Sequence, residues 1–238
     1  MTSDAEPFEV LRGITTATLT TIMLKKGLRN VWMRGPKQIQ PGQKRIVGRA
    51  FTLRFVPARE DLATPASWSS PISTRAAIEA MPEGCVAVVD AMRNTDAGIF
   101  GDILCARMAQ RKVAALVTDG AVRDIAGVMD TGLPVWCQGA AAPPSVGALT
   151  FVGWQQPIGC GGVAVFPDDV IVADRDGAVV IPTALLADVV AEGPEQERSE
   201  AWIMEEVGRG EALPGLYPMN AETKARYQKD IADRPSAP

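Results

Sequence analysis

Residues 85–124 read CVAVVDAMRNTDAGIFGDILCARMAQRKVAALVTDGAVRD. Two runs in this stretch, Cys85–Asp90 and Val113–Thr118, are short, apolar and rich in valine. That is the pattern of strands buried on both faces. Between them, Gly101–Arg111 reads as a helix with glycine at its start. Strand, helix, strand is a βαβ unit, and it predicts an α/β fold whose sheet is covered on both faces. In an open parallel sheet, ligands bind beyond the carboxyl ends of the strands. Here those ends lead into Gly101-Asp102-Ile103-Leu104 on one side and into Asp119-Gly120 and Arg123-Asp124 on the other.

The pattern extends outward from this unit. Residues 8–28 carry apolar side chains at roughly helical spacing, with Gly27 as a stop, and predict one helix. Residues 29–45 hold Gly35, Pro36, Pro41 and Gly42 and read as loop. Ile46–Val56 predicts a strand ended by Pro57, residues 57–71 a polar, proline-rich segment, and Ser73–Ala80 a short helix. After Asp124 a short helix and Gly132 lead to a strand at Pro134–Cys137, and residues 138–150 read as an Ala/Pro/Gly loop. Phe151–Gly153, Gly161–Phe166, Asp169–Ala173 and Ala178–Ile181 read as strands joined by turns at Pro167-Asp168 and Asp174–Gly177. Residues 183–209 predict a long helical region, with Gly193-Pro194 as its point of interruption. The expected organisation is a single domain over 1–213. A tail over 214–238 then wraps a neighbouring subunit or moves freely.

Composition removes several classes of function. With 47% hydrophobic residues the 238-residue chain can bury a full core. A net charge of −4 and the absence of any basic run beyond Lys25-Lys26 argue against a nucleic-acid partner. No apolar segment approaches the ~20 residues of a membrane span, and the start does not read as a signal peptide, so a cytoplasmic protein is expected. Cys85, Cys105, Cys137 and Cys160 are too dispersed for zinc and read as small buried core residues. The chain contains no histidine. That excludes a Ser-His-Asp triad, a Cys-His pair and histidine-ligated zinc. Acid–base work then falls to carboxylates, other side chains or metal-bound water, and carboxylate ligands point to a hard cation, Mg²⁺ or Mn²⁺.

The residues at the strand ends suit an anionic ligand. A glycine at a helix start lets backbone N–H groups face a carboxylate, and the helix dipole adds to the attraction. Arg123 stays cationic and can meet a carboxylate or a keto oxygen. Asp102 and Asp124 can hold a hard cation directly or through water. The same residues equally suit structural duty, Asp102 as a helix cap and Arg123-Asp124 as a surface ion pair. Arg54 and Arg59, near a strand end, can meet a second substrate carboxylate or serve as surface charge.

The run GDILCARMAQRKVAALVTDGAVRD at 101–124 resembles the signature of the RraA-like superfamily. The glycine-rich block PIGCGGVAVFPDDVIVADRDGAVVIP at 157–182 resembles a second motif of the same family. The likeness covers roughly residues 10–213. The family includes 4-hydroxy-4-methyl-2-oxoglutarate aldolases, oxaloacetate decarboxylases and regulators of ribonuclease E activity. Its aldolases place an Asp, twenty residues, then Arg-Asp; Asp102, residues 103–122 and Arg123-Asp124 fit. By that resemblance the backbone of Gly101–Leu104 binds a pyruvate carboxylate and Arg123 holds the keto or enolate oxygen. Asp124 ligates the metal, and Asp102 acts on its waters. The regulator branch lacks this Asp and carries an acid three residues after the Arg-Asp aspartate, where this chain has Gly127. The family also brings a carboxylate from a neighbouring subunit; Ser199-Glu200-Ala201, ahead of Gly210-Glu211, matches, and Glu200 is the candidate. Glu200 can equally be one more exposed glutamate among Glu195, Glu197, Glu205 and Glu206. Two departures stand out: Thr20-Thr21-Ile22-Met23 lacks an aspartate often seen there, and residues 57–75 are inserted relative to short members.

The resemblance implies a layered ββα sandwich of the swivelling-domain type with a C-terminal helical extension. It also implies assembly as a homotrimer or homohexamer with the site at a subunit interface. The implied activity is metal-dependent cleavage of a 4-hydroxy-2-oxo acid to pyruvate, with oxaloacetate decarboxylation on the side. The alternative is a non-enzymatic regulator that binds an RNA-processing protein. A methyltransferase finds no glycine-rich nucleotide loop to support it.

Overall fold

A computed structural model describes residues 4–233. The described residues build a mixed nine-stranded sheet curled into a half-barrel and flanked by helices, an α/β architecture as expected. Its central element is β3 (Ile46–Pro57), twelve residues long. The first part of β3 pairs antiparallel with β8 (Val170–Asp174), through Ile46 to Arg49. The next part pairs parallel with β4 (Val86–Asp90), through Ala50 to Arg54. The sheet continues in parallel through β5 (Ala115–Thr118) and β6 (Val135–Cys137). On the other side β9 (Gly177–Ile181) forms a hairpin with β8. The two-residue strands β1 (Trp32–Met33) and β2 (Lys37–Gln38) add to β9 and β6, and β7 (Leu149–Trp154) lies along the end of β3.

Alternation along the strands sorts the core into layers. Val86 and Val88, with Ile171, Ala173, Ala178 and Val180, face into the curl, where Trp136 and Val165 fill the space between the two halves of the sheet. Ala87 and Val89 face outward onto α3 (Thr74–Ala80), α4 (Asp102–Gln110) and α5 (Ile125–Asp130). Val170, Val172, Val179 and Ile181 face outward on the other side. They meet α1 (Ala5–Arg12), α2 (Thr16–Lys25) and α6 (Leu186–Gly208). All four cysteines are buried and unpaired, as expected.

Residues 29–45, read as loop, contain the short strands β1 and β2, and three further elements differ from the sequence expectation. Residues 8–28 form two helices, because Thr15 caps the second one: its side chain accepts the Thr18 N–H at 3.1 Å. Gly161–Phe166 is not a strand. Gly161 and Gly162 take positive φ values of 59° and 78° and close a 3-10 turn, leaving a lone bridge between Ile158 and Val165. The helix through Gly193-Pro194 is unbroken. Gly193 lies hard against Ile14, so helix packing outweighs the one donor that proline removes. After Pro214 the chain forms α7 (Ala221–Asp233), which lies on α6 of its own chain. There the rings of Tyr227 and Trp202 meet edge to face at 5.5 Å.

Asp174 ties these layers together. Its carboxylate accepts from the Thr16 N–H at 3.0 Å, the Thr16 hydroxyl at 2.6 Å and Arg45 at 3.3 Å, while its carbonyl accepts from the Trp136 indole at 2.7 Å. Burial pushes the carboxyl's pKa up, but the bonds from Thr16, Asp176 and Arg45 outweigh it and hold the group below its ordinary value of 3.8. A carboxylate lowered by folding stabilises the fold above its unfolded pKa, and that contribution is lost as pH falls through the lowered value. Asp174→Ala is therefore expected to cost about 2–3 kcal/mol at neutral pH. In thermal melts the gap to wild type should narrow below pH 3.8; a gap independent of pH would contradict the assignment.

Candidate active site

The carboxyl ends of β4, β5 and β6 open into three loops that run side by side. Isolated parallel bridges join Gly98 to Ala121, Gly98 to Pro144 and Val122 to Ala140. The Ile99 N–H donates to Ala121 O and the Arg123 N–H to Phe100 O, both at 2.9 Å. These bonds satisfy loop backbone that would otherwise be buried unpaired. They also fix Arg123 beside the start of α4. Gly98 makes this possible: a Cβ there would stand 2.5 Å from Arg123 N and 2.6 Å from Arg123 Cβ.

Asp119 braces the loops from below. It is 1% exposed, and its carboxylate accepts the Ala91 N–H at 2.8 Å and the Gly161 N–H at 2.9 Å. Burial raises its pKa, and the N–H donors partly offset the rise. Two loops that belong to different halves of the sheet are thereby pinned to one side chain.

Above this frame is a cleft of about 270 Å³. It is smaller than the ~300–1,000 Å³ typical for drug-sized ligands and suits a small acid. The structure brings Gly101, Asp102, Ile103, Leu104, Arg123 and Asp124 together in its lining. Gly101 is the N-cap of α4, in extended conformation, so the first-turn N–H groups point out of the helix without intrahelical partners. The Ile103 N–H donates to Asp102 Oδ1 at 2.7 Å. Arg123 Nε donates to Asp124 Oδ2 at 3.0 Å, with side chains 37% and 47% exposed. This is the surface ion pair that the sequence left open, and it lies inside the cleft. Asp124 Oδ2 also comes within 2.8 Å of where a Cβ on Gly101 would stand. Asp102 packs on Gly127, where a Cβ would be 2.9 Å from Asp102 Cβ and 3.0 Å from Oδ2.

Glu200 is elsewhere in its own chain. It lies on α6, where it accepts from the Thr18 hydroxyl at 3.2 Å and from Gln196 at 2.7 Å. Arg59 is bound to Asp61 on the surface. The charged residue that does reach the cleft from the inserted region's end is Arg75, with Trp68, Thr74, Pro144 and Ser145. The sequence contained one signal for this wall, a tryptophan inside an otherwise polar, proline-rich segment.

Among the described residues no group of three or more His, Cys, Asp or Glu side chains is arranged to hold a metal. The cleft offers two carboxylates, Asp102 and Asp124. That donor set fits a cation such as Mg²⁺, which keeps several waters and takes one or two carboxylates together with ligand oxygens. It does not fit a caged or sulfur-ligated metal.

A curled mixed sheet with an Asp, Arg-Asp cleft at its strand ends defines a recognisable class. The chain belongs to the RraA-like family, described as Aldolase/RraA, which matches residues 16–180. Protein DlpA of Legionella pneumophila is 30% identical over 154 residues, which are 65% of this chain and 24% of that protein. A Halalkalibacterium halodurans protein named "Putative 4-hydroxy-4-methyl-2-oxoglutarate aldolase" is 34% identical over 127 residues, 53% of this chain and 59% of that one. The chain thus spans about a quarter and about three fifths of these two relatives. The crystal structure of Streptomyces coelicolor RraAS2, described as an unusual member of the RNase ES inhibitor RraA protein family, superposes with a TM-score of 0.75 at 32% identity, covering 84% of this chain and 96% of that one. No helix among the described residues is long and apolar enough to cross a membrane.

Proposed function

We propose that this protein is a divalent-metal-dependent aldolase that cleaves a 4-hydroxy-2-oxo acid to pyruvate and a carbonyl product. The observation that carries the reading is the convergence of Asp102, Arg123 and Asp124 on one cleft at the start of α4, with Gly127 leaving room for Asp102. An acid at 127, as in the regulator branch, would take the space that Asp102 fills.

In this reading the backbone N–H groups of Gly101–Leu104 bind the substrate carboxylate, the Ile103 N–H exchanging its bond to Asp102 for one to the ligand. Arg123 places a fixed positive charge where the C2 oxygen becomes negative as the C3–C4 bond breaks. Asp124 would hold a Mg²⁺ or Mn²⁺, which would supply Lewis-acid chemistry there. Asp102, in the same cleft lining, orients the water that takes the 4-hydroxyl proton and returns one to C3. The same enolate arises when oxaloacetate loses CO₂, so decarboxylation is the expected side activity. Lys112 lies at the end of α4, bound to Glu83, and no Schiff base is needed. Glu200 acts in this scheme only from a neighbouring copy in a trimeric or hexameric ring.

Pyruvate release, coupled to a dehydrogenase, tests the proposal. Activity should vanish on treatment with EDTA and return with Mg²⁺ or Mn²⁺; release that persists in chelator would refute the metal-dependent scheme. The likeness to RraAS2 supports a second reading, a regulator of an RNA-processing enzyme. That reading expects stable capture of such an enzyme and no pyruvate from any 4-hydroxy-2-oxo acid.

A further inference from the structure

The far wall of the cleft is built differently from the wall that carries Arg123. It comes from a 3-10 turn at Pro65–Ser69 and the first turn of α3, and its two principal side chains are Trp68 and Arg75. The Arg75 guanidinium stacks over the Trp68 ring, 5.0 Å from its centroid. No carboxylate among the described residues pairs with Arg75; Glu79, one turn further along α3, is taken up by Arg107 and Arg111. An arginine stacked on a tryptophan keeps its edge donors free while its face is covered, and the stack limits the positions the long side chain samples. Thr74 and Ser145 add hydroxyls to the same wall.

The cleft lining therefore holds two arginines, Arg123 beside Asp124 and the α4 N-terminus, and Arg75. A ligand with one anionic group satisfies only the first. We infer that Trp68 and Arg75 form a second anion subsite, the part of this cleft that recognises a further carboxylate on a 2-oxo acid at the end remote from the keto group. Arg75 binds that carboxylate, and Trp68 is the positioning residue that holds the guanidinium across the cleft. Trp68 also lines an adjoining groove of about 500 Å³, with Phe55, Leu149 and Phe151. This inference rests on the aldolase reading for the orientation of the ligand, but its test does not depend on turnover.

The probes are pyruvate and 2-oxoglutarate, the latter a 2-oxo acid with a second carboxylate and no 4-hydroxyl to cleave. Binding of each to the intact protein with Mg²⁺ is measured by calorimetry. Wild type should bind 2-oxoglutarate at least tenfold more tightly than pyruvate. Arg75→Gln should weaken 2-oxoglutarate about ten- to a hundredfold, the usual worth of a hydrogen bond between charged groups, and leave pyruvate within twofold. Arg75 is exposed, so the variant is expected to fold. Trp68→Ala should lose part of the preference and Trp68→Phe should retain it, whereas a merely structural tryptophan would change both ligands alike. Equal binding of the two probes by wild type, parallel losses in Arg75→Gln, or no binding of either probe would overturn the subsite. The aldolase reading is judged separately by pyruvate release. A protein that releases pyruvate but shows no Arg75-dependent preference keeps the activity and loses the subsite. One that shows the preference without turnover keeps the subsite and loses the aldolase.

Discussion

Arg123→Ala is expected to lower pyruvate-forming turnover by about 10²–10³-fold while leaving thermal stability nearly unchanged. The magnitude is that of removing one preorganised donor from a developing oxyanion. The small effect on stability follows from exposure: the Arg123–Asp124 pair is more than a third exposed on both sides, and such pairs contribute about 0–1 kcal/mol. Arg123→Lys should recover only part of the loss, because an ammonium lacks the planar fork that reaches Asp124 and the substrate together. Kinetics on a 4-hydroxy-2-oxo acid, with melting curves of the same preparations, decide the matter. Normal turnover in Arg123→Ala would remove the residue from the mechanism.

Gly98→Ala should destabilise the protein strongly with a single methyl group. The added carbon would lie 2.5 Å from a backbone nitrogen and 2.6 Å from the Arg123 Cβ, neither of them the movable end of a side chain. Relief requires the loops after β4 and β5 to part, which breaks the bond between the Arg123 N–H and Phe100 O. Overpacking of this kind costs about 3 kcal/mol. In a chain of this size that lowers the melting temperature by roughly 6–12 °C. Turnover should fall with it even at temperatures where the variant is fully folded, since Arg123 is displaced. A variant that melts like wild type and works like it would show that the loops are looser than the hydrogen bonds imply.

Much of this was readable in advance, for identifiable reasons. Valine-rich runs at 85–90 and 113–118 have few alternatives to buried parallel strands, so the βαβ unit and the placing of Asp102, Arg123 and Asp124 at its upper end followed from pattern. Gly127 was also informative, and the structure supplies the reason: Asp102 occupies the space a side chain there would need. Other features depend on contacts distant in sequence. Val163 and Val165 alternate as a strand would, but the positive φ values at Gly161 and Gly162, beside the N–H that Asp119 accepts, turn that segment into the buried 3-10 corner. The Trp68–Arg75 wall has no periodicity to announce it, since neither residue belongs to the core, and the pairing appears only when the inserted segment folds back beside α3. Glu200 shows the opposite limit. A motif selected it, and the fold of a single chain puts it against Thr18.

β3 has a consequence for how the protein comes apart. Its backbone serves one half of the curled sheet through β8 and the other through β4 and β7. The amides along this strand are held by three partners far apart in the sequence, β4, β7 and β8, so the strand as a whole exchanges with solvent only when all three release it. The two faces of the molecule thus share a single slow-exchanging spine. The Arg123 loops stand at the end of β4, the strand bonded directly to that spine, so they are anchored where local opening is most costly.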